Sequence, residues 1–243
     1  RALPIALTAV VTAAAALGIK GAMAPAPVAL DPVRFEIAPD RVGRLNVTSS
    51  RRDLAISPDG KTLVYSSVSQ AGPQALFVRQ FDQVEVAPLR GADMAVAPFF
   101  SADGDWVGFV DSNDQSLLKK VSVLGGPALP ICKVPTTVFG AAWTLDGTVI
   151  LGVQGRALLQ VSDAGGEPQA LTELDKEARD TDHLWPSVVP GTPLILFVVN
   201  GSGRTPLTAG QLAVVDRQSR TVVKLGITGT HPRYIPGGYI VYA

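Results

Sequence analysis

From about residue 45 onward the chain alternates short apolar runs with turn residues. The clearest case is "AISPDGKTLVYSS" at residues 55 to 67. A short run leads into Ser-Pro-Asp-Gly and a second, longer apolar run follows at once, which predicts strand, tight turn, strand. In the turn, Pro58 presets φ, Asp59 is placed to bond nearby backbone N–H groups and Gly60 supplies positive φ.

The same pattern recurs as "FFSADGDWVGFVD" around Asp103 and Gly104, and as "AWTLDGTVILGV" around Asp146 and Gly147. Two looser copies follow, "SVVPGTPLILFVV" at Gly191 and "RYIPGGYIVYA" at Gly237. In these two, proline directly precedes the glycine, which suits a type II turn. The five turn glycines stand 43 to 46 residues apart, a period that signals propeller blades. Between the hairpins lie looser strand–turn–strand units, such as "QALFVRQFDQVEVAPLRG" and "ALLQVSDAGGEPQALTEL". Each period of about 44 residues therefore holds four short strands and no long amphipathic helix.

The strand after each main turn ("TLVYSSV", "WVGFV", "TVILGV", "LILFVV", "YIVYA") is apolar almost throughout. A strand covered on one face alternates, and one covered on both faces reads as a continuous run. Sheets stacked radially around an axis give that double cover. The expected fold is thus all-β, a β-propeller of four-stranded blades occupying residues 34–243. Roughly four and a half periods are present where six blades are expected for a complete ring. The chain is expected to be a piece of a longer protein, with "VRFEIAPDRVGRLNV" at 33 to 47 supplying a strand that closes the ring onto the last blade.

Residues 2 to 19, "ALPIALTAVVTAAAALGI", carry no charge and are flanked by Arg1 and Lys20. Their length meets the minimum for a membrane span, so residues 1–20 are read as one transmembrane helix. A secretory signal cut near "AMA" at 22 to 24 and a buried core helix are the rival readings. Residues 21–33 hold three prolines and read as a semi-extended linker.

Composition narrows the chemistry. Lys+Arg and Asp+Glu both number 21, so the chain lacks the basic footprint of a nucleic-acid binder. One cysteine, Cys132, rules out an internal disulfide and a Cys-based metal site, and two histidines are too few for a histidine-rich centre. Cys132 reads as a buried small hydrophobe. No cofactor or metal is implied. "RDTDHLWP" at 179 to 186 gathers Asp180, Asp182 and His183 as candidate ligands for an ion or small molecule. The plainer reading packs Trp185 between blades and gives His183 a local hydrogen bond. Asp59, Asp103 and Asp146 read as turn formers, and Trp106 and Trp143 as packing residues. "NGSGR" at 200 to 204 lacks the first glycine of a G-x-S-x-G elbow.

The hairpins "SPDG", "SADG" and "TLDG", each followed by an apolar strand, resemble the TolB-type WD-like propeller repeat. The order of apolar span, Pro-rich linker, "VRFEIAPD", hairpins and "DHLWPSVVPG" is similar to the propellers attached to bacterial eukaryotic-type serine/threonine protein kinases. That resemblance implies an inner-membrane, single-pass protein with a six-bladed extracytoplasmic propeller that senses a small ligand or binds a protein. No kinase motif lies in this chain, neither a Gly-rich phosphate loop nor H-R-D nor D-F-G, so the chain itself is expected to be non-catalytic. Two alternatives stand beside it: the gating propeller of a prolyl-oligopeptidase-type serine peptidase, and a free-standing periplasmic TolB-like binding protein.

Overall fold

A computed structural model describes residues 44–45, 52–68, 74–83, 85–201, 209–235 and 237–243. The apolar run at 2 to 19 and the linker at 21 to 33 lie outside these residues. Among the described residues no helix is long and apolar enough to cross a membrane.

All regular structure among the described residues is β. The first sheet holds β1 (Arg44–Leu45), β2 (Leu54–Ile56), β3 (Thr62–Val68), β4 (Gln74–Gln80) and β5 (Val86–Asp93). Four antiparallel strands in chain order make the second sheet: β6 (Ala95–Phe100), β7 (Trp106–Asp111), β8 (Leu117–Ser122) and β9 (Leu129–Lys133). The third repeats the plan with β10 (Val138–Trp143), β11 (Thr148–Val153), β12 (Leu159–Ser162) and β13 (Gln169–Ala170). The fourth comprises β14 (Asp180–Val188), β15 (Leu194–Gly201), β16 (Gly210–Asp216) and β17 (Val222–Gly229). A two-stranded sheet of β18 (Arg233–Ile235) and β19 (Tyr239–Val241) follows.

Of the segment expected to close the ring onto the last blade, only Arg44 and Leu45 are described. They pair with Val68 and Ser67 of β3, in the first sheet. β1 thus continues the edge that β2 occupies on the same strand, and the described part of the segment belongs to the first blade.

The core lies between the sheets. In β11, Val149, Leu151 and Val153 pack with Val96, Phe99 and Val110 of the second sheet. Ile150, between them in sequence, packs instead with Ile195, Phe197 and Val199 of the fourth. Successive side chains of a strand point to opposite faces, so a strand with a sheet on either side must be apolar at every position. This accounts for the runs "WVGFV", "TVILGV" and "LILFVV". Each fully buried Leu, Ile or Phe in them contributes roughly 1.5–3 kcal/mol. First strands meet their counterparts in succession, β2 against β6, β6 against β10, β10 against β14 and β14 against β18, which makes them the inner edge of the ring.

A glycine pair sets how closely the third and fourth sheets approach. Gly140 and Gly152 face each other in the β10–β11 ladder. A Cβ on Gly152 would lie 3.0 Å from Leu184 Cα and from Trp185 N, and 3.1 Å from Pro186 Cδ. The backbone of β14 rests on the bare side of this pair.

Candidate functional site

The repeated turns are built from one set of bonds. Ser57 Oγ donates to Asp59 Oδ1, the Lys61 N–H donates to the same carboxylate oxygen at 3.1 Å, and the Thr62 N–H donates to Ser57 Oγ at 2.9 Å. Ser101 and Asp103 repeat this with the N–H groups of Asp105 and Trp106. In the third copy Thr144 and Asp146 do so in a turn one residue shorter, where Thr148 N–H donates to Asp146. Gly60, Gly104 and Gly147 close these turns at φ of 73°, 83° and 77°. In the fourth copy Thr192 N–H donates to Val189 O across Pro190 and Gly191 (φ 74°), so glycine moves to the third turn position and the turn becomes type II. Gly237 also has positive φ.

The hydroxyl and amide donors hold the Asp59 and Asp103 carboxyls below the usual carboxylate range, and Asp146 is held lower still with Arg217 Nη1 at 3.1 Å. A groove of about 320 Å³ between the first two sheets is lined partly by Asp59, Asp103, Asp105 and Glu85. Asp59 and Asp103 are already engaged in their own turns.

Asp180, Asp182 and His183 all lie on β14, and each has a nearby partner. Asp180 Oδ1 accepts from Lys224 Nζ at 3.0 Å. Asp182 Oδ1 accepts from the Gly155 N–H, tying the fourth sheet to the third. His183, 1 % exposed, bonds Thr172 Oγ1 through Nδ1 at 2.7 Å and packs against the Phe197 ring at 4.9 Å. Its Nε2 lies 3.9 Å from Asp180. Burial pushes the imidazole down to about 4, overriding the nearby Asp180 charge, so at neutral pH it is a neutral core side chain. No group of three or more His, Cys, Asp and Glu side chains positioned for a metal exists among the described residues. Cys132 is buried and its thiol is pushed up to about 11, which leaves almost no thiolate at neutral pH.

A second constellation, at the inner edge, was not singled out by the sequence motifs. β14 carries a bulge in which Trp185 and Pro186 together face Phe197, with Trp185 at φ 52°. The bulge breaks the ladder locally, and the guanidinium of Arg52, just before β2, reaches across from the first sheet to the two carbonyls. Arg52 Nη1 donates to Pro186 O at 3.1 Å and Nη2 to Trp185 O at 3.2 Å. The fully buried Trp185 ring stacks on His231 at 4.4 Å, and Arg233 opens β18 two residues later. Residues of the first, fourth and fifth sheets thus meet at the axis. Burial, then the charges of Arg52 and Arg233, push His231 down to about 4. The sequence did hold a signal, because "AP" at 97–98, "WP" at 185–186 and "HP" at 231–232 each stand just ahead of a repeated turn. In all three the residue before proline has positive φ (54°, 52° and 50°).

Four-stranded antiparallel sheets packed face to face, with their first strands innermost, define a β-propeller. No protein-family model and no curated protein matches the chain. Similar solved structures include a TolB protein from Agrobacterium tumefaciens, with a TM-score of 0.63 at 15 % identity over 79 % of this chain and 74 % of that one. TolB from Acinetobacter baumannii matches with a TM-score of 0.57 at 14 % identity, over 74 % of this chain and 45 % of that one. Puromycin hydrolase matches at 0.53 and 14 % identity, over 78 % of this chain and 32 % of that one. The shared feature is the fold, a TolB-like propeller.

Proposed function

We propose that the chain is a non-catalytic binding propeller, the extracytoplasmic sensing or protein-interaction part of a membrane-anchored bacterial serine/threonine protein kinase. The observation that supports the non-catalytic reading is the use made of its reactive side chains. Asp180, Asp182, His183 and the turn aspartates are engaged in holding strands and turns, and Cys132 is buried as a protonated thiol. What the ring offers to a partner is its axis and its turn-lined end. The kinase attachment is supported by the order of apolar segment, Pro-rich linker, "VRFEIAPD" and "DHLWPSVVPG" in the sequence.

The likeness to puromycin hydrolase favours a second reading, a propeller that gates a serine hydrolase. A free-standing TolB-like binding protein is the third. Sequencing the coding DNA on both sides separates them. H-R-D and D-F-G motifs upstream of Arg1 are the expected result. A G-x-S-x-G elbow downstream of Ala243 would replace the kinase by a hydrolase, and a start codon just before Arg1 would leave the free-standing protein.

A further inference from the structure

We infer that the inner-edge cluster of Arg52, His231 and Arg233 is a binding site for an oxyanion, the phosphate or carboxylate group of a ligand entering the propeller axis. The inference rests on reading the ring as a binding module, and is independent of what precedes or follows the ring in the chain.

Three basic side chains converge from two sheets that are far apart in sequence. Arg52 stands before the innermost strand of the first sheet, while His231 and Arg233 introduce and begin the innermost strand of the fifth. None of the three belongs to an ion pair among the described residues, although Lys119, Lys120, Arg217 and Lys224 all do. Arg52 uses Nη1 and Nη2 on two backbone carbonyls, which fixes the plane of its guanidinium. Its Nε is buried without a hydrogen-bond partner. A buried charged donor left unpaired costs more than an ordinary missing hydrogen bond, and arginine cannot relieve it by losing its proton. Arg233, an exposed residue at the start of β18, adds a second guanidinium, and its charge is felt at both Arg52 and His231.

Arg52 and Arg233 repel each other, and an oxyanion bound by both turns that repulsion into charge-assisted hydrogen bonds. The fully buried Trp185 ring stacks on His231 and fixes that imidazole beside Arg52, whose guanidinium holds the Trp185 carbonyl.

The test uses the 243-residue chain in a neutral detergent, titrated calorimetrically with inorganic phosphate and with succinate against a chloride control of equal ionic strength. The expected result is saturable binding of at least one of them, weakened tenfold or more by Arg233→Gln and unchanged by Lys133→Gln on a distant strand. Phosphate alone identifies a phosphate-bearing ligand, succinate alone a carboxylate. Should Arg233→Gln not fold, the unmodified protein still answers, because the His231 ring signals in NMR must shift on saturation and its titration must move upward with the anion bound. No saturable binding of either, equal affinity in Arg233→Gln, or a His231 signal indifferent to the anion overturns the site. Such a failure leaves the flanking-sequence test of the binding propeller untouched.

Discussion

At the scale of single residues, His183 shows how position decides role. A histidine flanked by aspartates just ahead of a hairpin has the composition of a ligand cluster, yet β14 carries it into the space between sheets. There it is neutral, bonded to Thr172 and packed at a tilt against Phe197. Its folded pKa of about 4 lies below the ordinary 6.5. Between these values the unfolded chain binds a proton that the folded chain does not, so stability falls as pH drops from about 6.5 towards 4 and this contribution levels off below that. The loss is on the order of 3 kcal/mol. Chemical denaturation at pH 7 and pH 4.5 should show it, and His183→Gln should make the profile shallower over this window, leaving the fall that His231, also pushed down to about 4, contributes. A profile unchanged by the substitution would remove His183 as its source. The bare approach of β14 to Gly152 gives a second expectation. Gly152→Ala should destabilise the protein by about 1–3 kcal/mol, measured by the same denaturation, whereas a neutral effect would mean that the third and fourth sheets can separate without loss.

At the scale of elements, the turn hydroxyls matter more than the turn glycines' company suggests. Ser101, 3 % exposed, both donates to Asp103 and accepts the Trp106 N–H, so Ser101→Ala removes one bond and strips a partner from another. The expected cost is about 1–2 kcal/mol, and Ser101→Thr, which matches Thr144 in the third copy, should recover most of it. The hairpins and their spacing were legible in the sequence because turn residues act locally: Pro, Asp and Gly state their requirement within four positions. The inner-strand bulges were harder to read. Their only mark is a proline whose predecessor takes an unfavourable positive φ, as at Ala97 and Trp185, and nothing local to the sequence announces that conformation. Arg52 was illegible for a related reason. Its partners lie 133 and 134 residues away, and no local pattern encodes such a distance.

For the whole molecule, the continuous apolar runs of the second strands carry the architecture. Leu151→Ala cuts into the cluster shared with the second sheet and Ile150→Ala into the one shared with the fourth. Each should cost about 2–5 kcal/mol. Because the two side chains serve different interfaces, their effects should add approximately, which a double-mutant cycle checks. Two faces of one strand belonging to a single core would give strong coupling instead. The fold could be read from the repeat because a radial arrangement imposes the same pattern on every sheet. The candidate site is formed where the repeat is broken, by side chains that differ from copy to copy.

The central claim is that each period forms one sheet of a radial ring, with its second strand sandwiched between neighbours and its fourth strand at the rim. Hydrogen exchange of the native chain, followed by mass spectrometry, tests it most directly. The slowest amides should lie in β7, β11 and β15, which are buried along most of their length, and β13 and β17, largely exposed at the rim, should exchange far faster. Equal protection of second and fourth strands, or fast exchange in β11, would contradict the ring.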